Sequence, residues 1–323
     1  MKKEEQQTTP HILLSLADLL GTEVINRRLE IPKQFGKGYC DGFVFNKHIR
    51  MMISNYELHK DLAIKNPEIS THERMIFFKF QNVFPKTETF SQRGQLQEMP
   101  SVLIATSRVN TDDIISIHSN TATINIEVNA DYLNEQFDLT EKSPVLQSLL
   151  QNTQPLLFEQ IIYPSLQEIT NEILTESTNK TYELFFLRIK AEELICKLLI
   201  ELEKRNEQHL YPLNTLDVQT IYKIKERILE HLNIPPVIYE LSVYANMSPT
   251  KLKRLFRQIF GDSIFSYYQS ARMKQAARLL KEGKLSVADV GYQLGFTNLS
   301  HFAKVFKEHT GMKPKQYTKS SST

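Results

Sequence analysis

Apolar and polar residues follow different periods in successive parts of the chain. Between about residues 19 and 129, short apolar runs are separated by turn residues. Residues 123–128 alternate apolar and polar side chains with a period of two, as a half-buried strand does. Further apolar runs of strand length cover residues 51–53, 75–80 and 102–106, where a helix is the alternative to a strand. Beyond this region the period changes to three and four residues, so the order predicts a β-rich part followed by helices.

One long amphipathic helix is predicted over residues 182–205 by apolar residues at helical spacing. These residues are Leu184, Leu187, Ala191, Leu194, Ile195, Leu198 and Leu202. Their stripe is equally compatible with packing on the β-rich part and with packing on a second copy in a homodimer. Residues 155–177 carry another helical pattern, and residues 206–215 are predicted to be a linker because they combine Pro212 with polar neighbours. Every later segment is helical in pattern.

The last 90 or so residues contain an internal repeat with an offset of 50. The aligned pairs are Leu252 with Phe302, Phe256 with Phe306, Arg257 with Lys307, Gly261 with Gly311, and Tyr267 with Tyr317. Upstream, Leu241 aligns with Val290 at an offset of 49, so the turn of one copy is one residue longer. Each copy therefore consists of a short helix, a turn and a longer helix.

The helix ends within the two copies carry residues that are typical of helix N-caps and C-caps. The predicted helices cover residues 237–244 and 248–260 in the first copy and residues 287–294 and 298–309 in the second. Ser248 and Asn298 stand where a helix needs an N-cap acceptor, and Pro249 occupies a first-turn position that tolerates proline. Gly261 and Gly311 stand where a helix ends in the left-handed conformation. The proline-free and glycine-free segment 263–282 predicts a stiff connecting helix.

Two helices joined by a tight turn are typical of the helix-turn-helix, whose second helix enters the major groove of DNA. The predicted inner face is Leu252, Leu255, Phe256 and Ile259 in the first copy and Phe302, Val305, Phe306 and His309 in the second. The opposite face carries Thr250, Lys253, Arg254 and Arg257 in the first copy and Ser300, His301, Lys304 and Lys307 in the second. If both helices enter successive grooves about 34 Å apart, each chain reads a two-part, non-palindromic site.

Charge separates the two parts of the chain, although the net charge of all 323 residues is only +2. Residues 216–323 contain 17 Lys and Arg against eight Asp and Glu, a net charge of +9. Residues 1–215 contain 22 basic against 29 acidic residues, a net charge of −7. This asymmetry points to a polyanion as the partner of the C-terminal part. Charge alone fits a solvated lysine-rich face equally well, and the duplicated motif favours nucleic acid.

Composition excludes several other classes of protein. Hydrophobic residues make up 41% and charged residues 24% of the chain, as in a soluble globular protein of two domains. No apolar run approaches the roughly 18 residues that span a bilayer. The polar residues 1–10 are predicted to be a disordered tail and do not resemble a secretory signal. Cys40 and Cys196 form neither a disulfide framework nor a metal knuckle, so we expect a cytoplasmic protein with buried, inert thiols.

The C-terminal part resembles the AraC/XylS-type family of bacterial transcription regulators over residues 221–317. The most specific match is residues 295–307 (GFTNLSHFAKVFK) followed by residues 311–317 (GMKPKQY). Residues 252–257 (LKRLFR) of the first copy fit as well. The connecting segment fits at Tyr267, Arg272, Ala276 and Leu280. The final Arg of the family pattern is Thr318 here.

The resemblance implies that both longer helices contact double-stranded DNA. The implied base-contacting residues are Thr250, Lys253 and Arg254 in the first copy and Leu299, Ser300 and Lys304 in the second. The implied phosphate contacts are Lys251, Arg257, His301 and Lys307. Arg254 and Lys304 suit the O6 and N7 atoms of guanine, with a phosphate contact as the alternative for each. Leu299 either senses a thymine methyl group or packs inside the protein.

The resemblance also implies an α+β chain: an N-terminal cupin-like β-barrel with a helical dimerisation segment, and a C-terminal all-α domain of two helix-turn-helix motifs joined by a linker helix. The implied domains are a barrel over residues 11–135 that binds a small-molecule effector, a dimerisation or packing segment over 136–205, the linker over 206–215 and the DNA-binding domain over 216–323. The implied protein is a regulator, in the first instance an activator, and not an enzyme. It forms a homodimer and has RNA polymerase as a partner.

Other functions remain open at this point. A cupin-type enzyme or metal sensor fused to a DNA-binding module needs clustered histidines, whereas His48, His59, His72 and His118 stand singly. We therefore predict neither a metal nor a cofactor. The spacing of Gly36, Gly38 and Gly42 is wrong for a phosphate loop and indicates a β-turn. A third possibility is a regulator that binds no effector and is controlled by its abundance.

Overall fold

The computed structural model describes residues 8–60, 74–84, 100–107, 120–137, 143–175, 179–205 and 209–320. The chain forms two compact units, Met1–Thr215 and Leu216–Thr323. Residues 206–208 of the predicted linker lie outside the described residues.

The first unit combines a sheet with helices. Its elements are α1 (His11–Leu20), β1 (Arg28–Glu30), β2 (Gly36–Val44), β3 (Ile49–Leu58), β4 (Met75–Gln81), β5 (Ser101–Thr106), β6 (Asn120–Asn129), α2 (Ala130–Gln136), α3 (Pro144–Gln151), β7 (Leu157–Ile161), α4 (Pro164–Thr175) and α5 (Lys180–Glu203). The strands form one sheet in the order β1-β2-β3-β6-β4-β5-β7, with antiparallel neighbours throughout. Because β1 and β7 end this order, the described strands form an open sheet. The cupin-like barrel therefore stays a prediction.

The four strands predicted from apolar runs lie within β3, β4, β5 and β6, so these predictions are confirmed. Alternate residues of β6 are fully buried, namely Ile124, Ile126 and Val128. They share one hydrophobic core with helices α2 to α5. Helix α1 packs with β1, β2 and β3 in a separate, smaller core around Leu13 and Cys40.

Two segments of this unit differ from the predicted secondary structure. Residues 155–177 were predicted to be helical, but they begin with strand β7, which pairs with β5. A run as short as Leu156, Leu157 and Phe158, all buried, does not distinguish a strand from a helix by its period. Residues 8–10 of the predicted disordered tail are ordered, because the Thr8 carbonyl accepts a hydrogen bond from the Val44 N–H at 2.8 Å. Residues 1–7 lie outside the described residues.

The predicted β-turn at the three glycines is wrong, since Gly36 and Gly42 both lie in strand β2. A Cβ atom on Gly36 would stand 2.0 Å from the carbonyl oxygen of Glu57 in β3. A Cβ atom on Gly42 would stand 2.7 Å from the Cδ atom of Pro10. Glycine is needed here because the neighbouring chain approaches the backbone too closely for any side chain.

The regular elements in the described part of the second unit are all helices. Its elements are α6 (Thr215–Glu230), α7 (Ile238–Tyr244), α8 (Pro249–Phe260), α9 (Ile264–Glu282), α10 (Val287–Gln293), α11 (Leu299–Thr310) and α12 (Pro314–Ser320). The short helices α7 and α10 have seven residues each, and the longer helices α8 and α11 have twelve each. The predicted helix bounds are confirmed to within about one residue, and α9 is the predicted connecting helix.

Candidate nucleic-acid interface

Each long helix of the repeat begins at a side-chain cap. The Ser248 hydroxyl accepts a hydrogen bond from the Lys251 N–H at 3.2 Å and so starts α8. The Asn298 side-chain oxygen accepts from the N–H groups of Ser300 and His301 at 2.9 and 3.1 Å and so starts α11. These caps satisfy N–H groups that a helix otherwise leaves without partners. The first turn of both helices is therefore held in place by the residue that precedes it.

The two copies of the repeat resemble each other in three dimensions as well as in sequence. Phe256 meets Tyr267 edge-on, with ring centroids 5.5 Å apart and an interplanar angle of 83°. Phe306 meets Tyr317 in the same way, at 5.5 Å and 82°. The glycines that end α8 and α11 have φ of 77° and 78°. Two copies of one structural unit thus present two equivalent long helices.

Both long helices divide into a buried apolar face and an exposed polar face, as predicted. The buried residues are Leu252, Leu255, Phe256 and Ile259 of α8 and Phe302, Val305 and Phe306 of α11. His309, which the sequence also placed on the inner face, is exposed. The exposed residues are Thr250, Lys253, Arg254 and Arg257 of α8 and Ser300, His301, Lys304 and Lys307 of α11. This is the arrangement that a recognition helix needs, since its apolar face holds it on the domain while its polar face meets the groove.

The basic groups on these faces are largely available to an anion. In the part of the chain that the structure describes, Lys253, Arg257, Lys304 and Lys307 form no ion pair with a carboxylate. Unpaired surface cations next to one another raise the local positive potential and attract a polyanion. The face of α8 and the face of α11 therefore both suit contact with a phosphate backbone.

Lys251 differs from the other predicted phosphate contacts because it already has a partner. Its Nζ atom lies 2.9 Å from a carboxylate oxygen of Asp217 in α6. The Asp217 side chain is 17% exposed and that of Lys251 is 39% exposed. A contact between Lys251 and a phosphate would have to share or replace this ion pair.

The position of Leu299 favours packing over contact with a base. A Cβ atom added to Gly291 of α10 would stand 2.8 Å from Cδ2 of Leu299 and 3.2 Å from Cδ1 of Phe302. Leu299 therefore lies against the short helix of its own motif and is half-buried. The same close approach means that a larger residue at position 291 would require the side chains of Leu299 and Phe302 to shift.

Two residues that sequence reasoning did not assign a role, Tyr268 and Arg272, are buried at the centre of the second unit. Both lie on α9, and Arg272 is only 6% exposed. The Tyr268 hydroxyl donates to the carbonyl of Leu232, and Arg272 Nε donates to the carbonyl of Leu294. A cationic residue on the otherwise apolar face of a continuous helix was the available signal, but the sequence does not show which carbonyl it meets.

The candidate chemistry of the first unit is distributed and not clustered. The His48 ring stacks on Tyr132 with centroids 4.9 Å apart, while His72 and His118 lie outside the described residues. Among the residues that are described, no group of three or more His, Cys, Asp and Glu could hold a metal ion. Burial raises the pKa of Cys40 to about 12, so its thiol is unreactive as predicted. Cys196 is exposed, and the prediction that it is buried is wrong.

The fold and these surfaces define a class of protein: a sheet-containing unit joined to a tandem helix-turn-helix unit with two exposed basic helices. Among the described helices, none combines the length and the apolar character needed to cross a membrane. Residues 241–320 match a family model described as "Helix-turn-helix domain".

Several known proteins are similar to part of this chain. The HTH-type transcriptional regulator GbdR of Pseudomonas aeruginosa is 33% identical over 129 residues, which are 38% of this chain and 34% of that protein. The arabinose operon regulatory protein of Escherichia coli is 35% identical over 80 residues, which are 25% of this chain and 27% of that protein. The match thus spans about a third of the length of these relatives. The resemblance to AraC/XylS-type regulators that the motifs predict is confirmed for the C-terminal unit.

Two solved structures are also similar to parts of this chain. The DNA-binding domain of AdpA, a global transcriptional factor crystallised with a target DNA, is 27% identical, with a TM-score of 0.30 and coverage of 31% of this chain and 91% of that domain. ToxT from Vibrio cholerae, crystallised with an unsaturated fatty acid, is 14% identical, with a TM-score of 0.30 and coverage of 76% of this chain and 87% of that chain.

Proposed function

We propose that this chain is a sequence-specific DNA-binding transcription regulator whose second unit reads two adjacent major grooves. The observation that carries the proposal is the pair of equivalent helices, α8 and α11, each with a capped start, a buried apolar face and an exposed basic face. The net charge of +9 on residues 216–323 supports it, because phosphate neutralisation supplies much of the affinity for DNA. The named relatives that resemble this unit are regulators.

Within this function we assign two kinds of contact to the long helices. The base contacts are Thr250, Lys253, Arg254, Ser300 and Lys304, with Leu299 beside them packing against Gly291. The phosphate contacts are Arg257, His301 and Lys307, with Lys251 contributing when its pair with Asp217 is shared. Arg254 reads guanine, because the planar fork of arginine donates two hydrogen bonds to the O6 and N7 atoms at once.

The experiment that tests this function is selection of bound duplexes from a random pool by the full chain. Two helices in successive grooves predict two conserved boxes whose centres lie about 10 base pairs apart, arranged without palindromic symmetry. Enrichment of such a two-box sequence supports the proposal. Enrichment of a single box, or of no sequence at all, overturns the reading of two grooves.

The first unit is proposed to bind a small-molecule effector and to control the second. An effector acts if its affinity differs between a DNA-competent state and another state, since only such a difference shifts the population. The proposal includes closure of the seven-stranded sheet into a cupin-like barrel, action as an activator and contact with RNA polymerase. A thermal-shift screen of small molecules against the full chain, followed by DNA-binding titrations with each hit, tests the effector. A ligand that shifts stability but leaves DNA affinity unchanged contradicts control of DNA binding.

A homodimer is proposed to form through helix α5. Leu187, Ala191 and Leu194 of this helix pack in the core of the first unit. Its exposed side carries a separate apolar set, the α5 stripe: Tyr182, Phe185, Ile189 and Ile200, exposed by 64, 67, 45 and 53%. At 3.6 residues per turn these four lie within about 60° of arc on a 24-residue helix. Such a stripe suits pairing with the same stripe of a second copy, which would cover both at once.

A further inference from the structure

The second helix-turn-helix is held by a cationic side chain of the connecting helix. Arg272 of α9 is 6% exposed, and its Nε atom donates to the Leu294 carbonyl at 2.7 Å. Its guanidinium carbon lies 3.6 Å from the centroid of the Phe296 ring and 5.3 Å from that of Tyr268. Leu294 and Phe296 belong to the turn between α10 and α11. Arg272 therefore holds the turn by a hydrogen bond to the Leu294 carbonyl and by contact with the Phe296 ring.

This contact is directional in a way that apolar packing is not. Burial lowers the pKa of Arg272, because removal from water disfavours the charged form. A buried charge is tolerated only where hydrogen bonds and aromatic faces compensate for lost water. Besides Leu294 and the two rings, the Gln269 side-chain oxygen accepts from Arg272 at 3.2 Å. These partners surround the guanidinium in one arrangement of the turn on α9, and a rotated turn would lose them together.

The end of helix α6 meets the same place. The Tyr268 hydroxyl donates to the Leu232 carbonyl at 3.1 Å, just after α6 ends. The next carbonyl, that of Asn233, would lie 2.1 Å from a Cβ atom on Gly295, whose φ is 75°. Here α9, the end of α6 and the second turn converge. We call this convergence the Arg272 hub: Leu232, Asn233, Tyr268, Arg272 and residues 294–296.

Helix α6 connects the Arg272 hub to α8, the long helix of the first helix-turn-helix motif. We call α8 and α11 the reading helices. Near its start, Asp217 pairs with Lys251 of α8 at 2.9 Å. One turn further on, Tyr222 meets Phe260 of α8 edge-on, with ring centroids 5.7 Å apart. Two helices, α6 and α9, therefore connect the first motif to the turn of the second motif. Both contact that turn at the Arg272 hub.

We propose that Arg272 is a positioning residue that sets the separation and rotation of the two reading helices and thereby selects the spacing between the two DNA boxes. This inference rests on the proposed function. In this proposal a buried residue that does not contact DNA contributes to the selection of the spacing between the two boxes. The loss of Arg272 frees the second motif to move on α9, so boxes at altered spacings are bound with a smaller penalty.

The test uses the full chain and the duplex that it selects from a random pool, together with duplexes that have one or two base pairs inserted or deleted between the boxes. The readout is the ratio of Kd at altered spacing to Kd at the selected spacing, from fluorescence anisotropy. We expect R272A to lower this ratio by about tenfold, since it removes a charge-assisted hydrogen bond together with its ring contacts. R272K keeps a donor and a cation, and we expect it to restore part of the ratio.

R278A is the matched control. Arg278 lies on the same helix, but it is exposed and pairs with Glu282 one turn away, so its loss should leave the spacing ratio unchanged. The inference is overturned if R272A leaves the spacing ratio unchanged and weakens binding to every duplex equally. Arg272 would then contribute only to the general stability of the protein. If R272A does not fold, as judged by circular dichroism, then folded R272K decides: a ratio equal to wild type overturns the inference. A wild-type chain with no preferred spacing overturns the proposed two-groove function itself, whatever the variants do.

Discussion

Single residues on α8 and α11 are proposed to make different contacts with DNA according to their place on the repeat. Arg254 aligns with Lys304 and Arg257 aligns with Lys307 at the offset of 50. All four are exposed, so the sequence alone predicted both their position and their accessibility. What differs between the pairs is the contact each is proposed to make, with base edges for the first pair and with phosphates for the second.

R254A tests base reading. We expect this variant to lose discrimination at one base pair of the site by about 1–3 kcal/mol, because a bidentate donor to guanine is removed. The measurement compares Kd for the selected duplex and for duplexes changed at each position in turn. Equal losses on matched and mismatched duplexes would show that Arg254 contacts phosphate and not a base.

K307A tests phosphate contact. Affinity should fall by a similar factor on every sequence, because the phosphate backbone is the same everywhere. One fewer neutralised phosphate should also make the slope of log K against log salt shallower by about one. Titrations at several salt concentrations measure this slope, and a change in sequence preference with the slope intact would contradict the assignment.

Whole elements were predicted well where their signal is local. The caps at Ser248 and Asn298 and the glycines at the ends of α8 and α11 lie within a few residues of the helices they limit. Strand β7 was missed because its pairing with β5 joins segments about 55 residues apart, and its five residues, three of them apolar, are too few to show a clear period. The glycines of β2 were misassigned for the same reason, since their neighbours in β3 and near Pro10 are not visible in the local sequence.

The turn of the second motif provides a test at this scale. Gly295 and Gly283 both have positive φ, 75° and 68°, but only Gly295 has backbone within reach of an added Cβ atom. G283A should destabilise the protein by about 1–2 kcal/mol, the ordinary penalty for left-handed backbone. G295A should destabilise it by more, because the turn must also move away from Asn233. Denaturant unfolding of both variants measures the difference, and equal losses would mean that the turn relaxes freely.

At the scale of the whole molecule, the basic charge and the proposed dimer contact fall on different units. The first unit is acidic and carries the exposed α5 stripe, while the second unit is basic and carries the reading helices. The apolar period of α5 predicted one long helix, but it could not show which apolar residues the core leaves exposed.

F185E tests the dimer. A charge in the α5 stripe should convert a dimer to a monomer, because two buried carboxylates would face each other across the interface. Light scattering after size exclusion measures the mass of wild type and variant. L184E is unsuitable as a control because Leu184 packs against the core, whereas K180E changes an exposed residue at the start of the same helix and should leave the mass unchanged. A monomeric wild-type chain would contradict the dimer directly.

Periodicity, caps and repetition are properties of neighbouring residues, and so the sequence by itself determined the helices of the second unit, the duplication and the basic faces. Contacts between distant segments are decided by packing, which no local pattern records. Only the tertiary structure placed Arg272 against the Leu294 carbonyl, paired Lys251 with Asp217, turned Leu299 toward Gly291 and left Cys196 exposed. Each of these features depends on which distant segment packs against a side chain, and only tertiary folding decides this.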